Sequence, residues 1–148
     1  MPTIAMPVDN LPKFHLCGKQ RIASWVFAVL VAAIFLQTLF FKFTGAEGSV
    51  WIFTQLGAEP WGRWASGIAE LVASLMILVP ATRFFGAALS AGVIGGAIMS
   101  HLAVLGIVVQ DDGGLLFGLA VLVLLCSLGL LWLHRAEGQA LLRRLLNR

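Results

Sequence analysis

Charge is scarce in this chain: 11% of its 148 residues are Asp, Glu, Lys or Arg, against 59% hydrophobic. With a mean hydropathy of +0.94, that balance excludes disorder and fits one compact domain embedded in a lipid bilayer. The pI near 9.4 does not indicate nucleic acid, because the basic residues form no stripe. They gather at the termini and at short turns between apolar runs. The two cysteines, Cys17 and Cys126, form no C-x-x-C pair and are too widely separated for a bridge or a metal site. A haem-ligand pair and a flavin motif are also lacking, as is a small-x-small cleavage site after the first apolar run. That run is expected to stay as a membrane anchor.

What the chain has in abundance is length without charge. Four apolar runs are each long enough to span a bilayer: Ile22–Phe43, Trp61–Val79, Arg83–Val109 and Gly113–His134. Helices are the spanning structure they can form, since four such segments cannot close a barrel. The expectation is an all-α integral membrane four-helix bundle over 22–134, after a cytoplasmic segment 1–21 and before an amphipathic tail 135–148. The third run, about 27 residues or roughly 40 Å of helix, exceeds a ~30 Å hydrocarbon core. Tilt or an extension past the membrane absorbs the excess.

Lys13, Lys19 and Arg21 precede the first run, Arg83 opens the third, and Arg135, Arg143, Arg144 and Arg148 follow the fourth. The positive-inside rule puts these groups and both termini in the cytoplasm. The turn Gln110-Asp111-Asp112-Gly113-Gly114 then lies outside, a turn and helix cap rather than a metal site. Trp25 and Trp132 fall near one boundary, and Trp51, Trp61 and Trp64 near the other. Between the first two runs, Val50, Trp51, Phe53 and Leu56 predict a short outer interfacial helix ending at Gly57. Leu141, Leu142, Leu145 and Leu146 alternate with arginines in a tail suited to an anionic leaflet. In the third run, Ala88/Gly92/Gly96/Ser100 and Ala87/Ala91/Gly95 make small-residue ladders that predict close helix packing.

Two ionisable residues interrupt the apolar runs, Glu70 and His101. Each lies about 12–13 Å from the same end of its helix, so antiparallel neighbours bring them level. A Glu–His pair shares a proton and lowers the burial cost of each partner. Lys42, Gln37, Glu47, Arg63 and Trp64 complete a candidate polar pocket in the outer half of the bundle. Alternatives stand beside this reading. Lys42 snorkels to the interface and pairs with Glu47, Glu70 and His101 only fix helix register, or Arg63 and Arg83 are interface anchors.

Six ordered stretches add a family resemblance. They are Phe41-Lys42-Phe43-Thr44-Gly45, Phe53-Thr54-Gln55-Leu56-Gly57, Pro60-Trp61-Gly62-Arg63, Gly67-Ile68-Ala69-Glu70-Leu71, Ser100-His101-Leu102 and the Gln110–Gly114 turn. Over about 35–134 the chain resembles the DoxX family of small four-helix membrane proteins. The resemblance implies a bacterial inner-membrane protein whose wider relatives include subunits of thiosulfate:quinone oxidoreductases, proteins of catechol or oxidative-stress responses, and an amine dehydrogenase maturation protein. It transfers no catalytic residue set.

The expected function is that of a redox-associated membrane component. It would hold a quinone or similar lipophilic ring, with His101 and Lys42 donating to its carbonyls and Glu70 exchanging protons with His101. Phe40, Phe41 and Trp64 would supply apolar walls. Electrons would come from a partner oxidoreductase. The competing expectations are a non-catalytic anchor for such a partner, or a small transporter, for which four spans show no inverted repeat. A homo-oligomer is a further possible assembly.

Overall fold

The computed structural model describes residues 17–146, with 141–146 by backbone alone. Lys13 and Arg148 lie outside the described residues. So do the side chains of Leu141, Leu142, Arg143, Arg144, Leu145 and Leu146, on which the amphipathic tail rests. Among the described residues the chain is all helix, with no strand: α1 Gly18–Thr44, α2 Glu47–Gln55, α3 Trp61–Leu78, α4 Arg83–Ser100, α5 Leu115–Leu133 and α6 Arg135–Leu146. A π-helical turn, His101–Leu105, continues α4.

Three of these segments are long and apolar enough to cross a membrane: Gly18–Thr44, Arg83–Leu105 and Leu115–Leu133. Helix α3 matches the second apolar run closely, but it carries Arg63 and Glu70 on its buried side. The surface agrees with a lipid environment. Val26, Val29, Leu36, Leu75, Leu122, Leu125 and Leu128 all face outward, an apolar cover that a water-soluble protein does not carry. All five tryptophans are exposed as well.

The helix ends follow from local chemistry. Helix α1 runs uninterrupted until Gly45 adopts φ 68°, and its N–H returns to Phe41 O, the left-handed stop that glycine makes at low cost. Helix α2 is followed by Gly57 at φ 64°, where the interfacial-helix expectation placed its end. Pro60 precedes α3, where a missing N–H is tolerated. Asp112 initiates α5: its carboxylate accepts from the N–H groups of Val109, Gly114 and Leu116, each at 2.9 Å. The third run does not extend to Val109. It widens into the π turn and stops at Gly106, whose N–H bonds His101 O at 2.8 Å.

Helix α1 packs on α3, α3 on α4, α4 on α5, and α5 back on α1. Their shared core is Ala28, Val31 and Phe35 with Ala73, Ile77, Ala87, Ile94, Val123 and Leu130. Within it the Ser90 and Ser127 hydroxyls meet at 2.8 Å, which satisfies both without water. The tightest crossing among these helices is at Gly86, where a Cβ would lie 2.7 Å from Ile77 N. Aliphatic side chains and Phe35 thus fill the middle of the packed helices, and two polar clusters occupy their opposite ends.

Candidate functional site

At the α2 end the helices do not close on each other. They surround a cavity of about 930 Å³ lined mostly by apolar atoms, a size that suits a drug-sized or cofactor-sized molecule. Helical spacing builds its walls. Thr38 and Lys42 lie one turn apart on α1, Ser66 and Glu70 one turn apart on α3, and Gly92, Gly96 and Ser100 form a line on α4. Gly48, Ser49, Ile52, Phe53 and Leu56 of α2 cover it, and His101 and Gln110 contribute from beyond α4.

The glycine line corrects the expected close packing. A Cβ added at Gly92, Gly95 or Gly96 would meet nothing within 4 Å. Of the two ladders, Ala87 is in the core, whereas Gly92, Gly96 and Ser100 face open volume. The missing side chains make the cavity.

Glu70 is buried, and the structure pairs it with Lys42 rather than His101. Lys42 Nζ lies 2.5 Å from Glu70 Oε1, and the Thr38 hydroxyl lies 2.9 Å from Oε2. That hydroxyl also lies 2.8 Å from Phe35 O, so its single proton is shared between two acceptors. The expected Glu70–His101 contact and the alternative Lys42–Glu47 pair are both absent among the described residues. Both the acid and the imidazole line the cavity, but the depth arithmetic that paired them rests on rise alone. It carried no information about azimuth, and Lys42 holds the position that faces Glu70.

His101 is buried and anchored elsewhere. Its Nδ1 lies 2.8 Å from Gly106 O, and a carbonyl only accepts, so Nδ1 carries the proton. The Gly106 N–H bonds the His101 carbonyl in return. This double link depends on Gly106 at φ 80°, a conformation that other residues resist. The edge of the ring packs on Phe117, with centroids 5.6 Å apart. The expectation that His101 donates into the pocket is therefore overturned for its Nδ1 proton.

The other candidate residues separate from the cavity. Gln37 is exposed and does not line it; Glu47 is exposed in the first turn of α2, where a carboxylate suits the helix dipole. Trp64 is exposed and packs edge-to-face on Phe43; Phe40 is also exposed, and of the expected aromatic walls only Phe41 lines the cavity. Arg63 is buried rather than an interface anchor. Its Nε and Nη2 hold the Glu59 carboxylate at 2.7–3.0 Å, and its Nη1 donates to the Lys42 carbonyl. Arg63 thus fixes the end of α1 that presents Lys42. Asp112 lies outside the helices, and the backbone N–H groups of Leu116, Val109 and Gly114 hold its carboxyl below the usual range.

A second cluster, at the α6 end, was not anticipated. Arg83 is 2% exposed and is not the expected interface anchor. Its Nε donates to Ile77 O at 2.8 Å and its Nη1 to Ser24 Oγ at 3.0 Å, while its guanidinium lies 4.2 Å from the Trp25 ring centroid. Ser24 Oγ lies 2.8 Å from His134 Nε2, and His134 Nδ1 lies 2.9 Å from Glu137 Oε2. The Glu137 carboxylate only accepts, so Nδ1–H donates to it, and in the neutral imidazole Nε2 then accepts the Ser24 hydroxyl proton. The order resembles a serine–histidine–acid relay, but Ser24 has no exposed surface, so no substrate reaches it. Ser24, Arg83 and His134 each sit where an apolar run starts or ends, and nothing in their spacing signals that they converge. Among the described residues, no group of three His, Cys, Asp or Glu is placed to hold a metal ion.

Compared with family models, curated proteins and solved structures, the chain matches none.

Proposed function

We propose that the chain is a DoxX-like inner-membrane protein that binds a quinone or similar lipophilic ring in the cavity at the α2 end. In this reading α1, α3, α4 and α5 form a transmembrane four-helix bundle, both termini are cytoplasmic, and α2 lies at the outer interface over the cavity. One observation carries it: a mostly apolar space of about 930 Å³ has at its wall a buried Glu70 paired with a part-buried Lys42. Apolar walls hold a ring, and a few fixed polar groups orient it. The Lys42 ammonium spends one of its three protons on Glu70, leaving donors for a ligand oxygen. When bound, a quinone would supply the redox chemistry and the protein its orientation and exclusion of water. Electrons would come from a partner oxidoreductase.

The test is binding by the full chain in lipid nanodiscs to a quinone analogue with a short isoprenoid tail. Wild type should saturate. Gly96→Leu, which puts a side chain into open volume, should abolish binding without lowering thermal stability. Glu70→Gln, which removes the charge that holds Lys42, should weaken it. Equal binding by all three proteins would reject the pocket and favour the anchor reading.

A further inference from the structure

The Gly106 link fixes more than the position of the His101 ring. With the proton on Nδ1, the imidazole in its neutral form presents a bare lone pair at Nε2. Among the described residues that nitrogen has no hydrogen-bond partner, and it is not one of the sealed unpartnered atoms, a class represented there by Arg83 Nη2. His101 itself is 7% exposed and lines the cavity. A buried group that can only accept, beside a cavity, is satisfied by a ligand that donates. Lys42, on the wall built by α1, offers the opposite polarity: protons seeking an oxygen.

We infer that the cavity selects a hydroxylated ring, phenol-like or quinol-like, whose O–H donates to His101 Nε2, over the same ring with that oxygen alkylated or present as a carbonyl. This rests on the pocket reading above and refines it from a lipophilic ring in general to its hydrogen-donating form. The glycine line on α4 suits such a ligand, because Gly92 and Gly96 leave a wall without side chains against which a planar ring can lie. The refinement concerns binding alone; no electron or proton need be transferred for the preference to exist. Discrimination of this kind is strong in general, because a ligand lacking the donor leaves a buried acceptor unpaired.

The experiment compares a 4-alkylphenol with its methyl ether on the full chain in nanodiscs, with empty nanodiscs subtracting lipid partition. Wild type should bind the phenol roughly tenfold more tightly than the ether, about the value of one hydrogen bond. In His101→Phe the two should bind alike. The ¹⁵N resonance of His101 Nε2, assigned by its loss in that variant or by selective labelling, should shift with phenol and not with ether. These wild-type readouts decide the matter even if His101→Phe does not accumulate. Equal binding of phenol and ether by wild type, with both blocked by Gly96→Leu, would overturn the inference and leave the pocket standing. A preference that persists in His101→Phe, or one reversed in favour of the ether, would also overturn it. Binding of neither probe would remove the pocket and the inference together.

Discussion

The two ends of the packed helices hold nearly the same chemistry: a buried cation, a carboxylate, a hydroxyl and an imidazole. At the α6 end these are Arg83, Glu137, Ser24 and His134, and they spend most of their hydrogen-bonding capacity on one another and on Ile77 O; among the described residues Arg83 Nη2 is left over, but it is sealed from any space a ligand could enter. At the α2 end they are Lys42, Glu70, Thr38 and His101, and capacity is left over. Lys42 has protons to spare, and His101 has a free lone pair. Space differs in the same sense. Phe84 crowds Gly138 at the α6 end, within 2.5 Å of an added Cβ, whereas Gly92 and Gly96 border open volume. Residue type alone therefore does not distinguish the two ends. Unspent valence beside unfilled space does, and it is what the proposed site rests on.

The contrast can be broken most forcefully at Glu70. Glu70→Ala leaves the part-buried Lys42 ammonium without its anion, and the expected loss is about 1–3 kcal/mol of stability. Denaturation in detergent would measure it, and the Lys42→Met/Glu70→Ala double variant should recover much of the loss. If the single variant is as stable as wild type, the pair is not a buried unit. At the other end, Ser24→Ala removes the partner of Arg83 Nη1 and His134 Nε2 in a buried site. A loss of about 1–3 kcal/mol is expected, with ring binding at the far cavity unchanged. Loss of binding in that variant would show that the ends are coupled rather than independent.

Added methyl groups sharpen the difference in space. Gly138→Ala forces Phe84 to move and should cost about 1–3 kcal/mol, while Gly96→Ala, which meets nothing, should raise the melting temperature by a few degrees through helix propensity. Equal effects would mean that the glycine line is packed after all. The smallest effect concerns the turn. Because the folded Asp112 carboxyl lies below its ordinary 3.8, its contribution is complete above that value. It is lost only as pH falls through the lower, folded value. The melting-temperature difference between wild type and Asp112→Ala should be flat at neutral pH and shrink in strong acid. A difference that grows on acidification would contradict the cap.

The apolar runs of α1, α4 and α5 were legible because each shows itself in sequence as a long charge-free stretch, and α2 because Val50, Phe53 and Leu56 mark one face before Gly57. Glu70, His101 and Lys42 were legible as residues that an apolar run has no cause to contain. Their partners were not. Which side chain meets Glu70 depends on how far each helix is rotated about its axis, and a few tens of degrees decide between Lys42 and His101. The ladder on α4 misled for a related reason: small residues permit close approach, but they equally permit a void, and only the neighbouring helix settles which. Arg83 was read as an anchor because its sequence neighbours are those of a turn. Its burial is created by Ser24 and His134, distant in the chain.

The π turn makes His101 sensitive to chain length as well as to side-chain identity. Its five residues hold one more than a regular turn needs. Removing one between Leu102 and Val104 would let the segment wind normally and swing the following peptide by roughly 100°. The imidazole would remain in the polypeptide, yet lose the carbonyl that assigns its proton. A single-codon deletion there would thus free the Nδ1 proton from its carbonyl while sparing every side chain that borders the cavity.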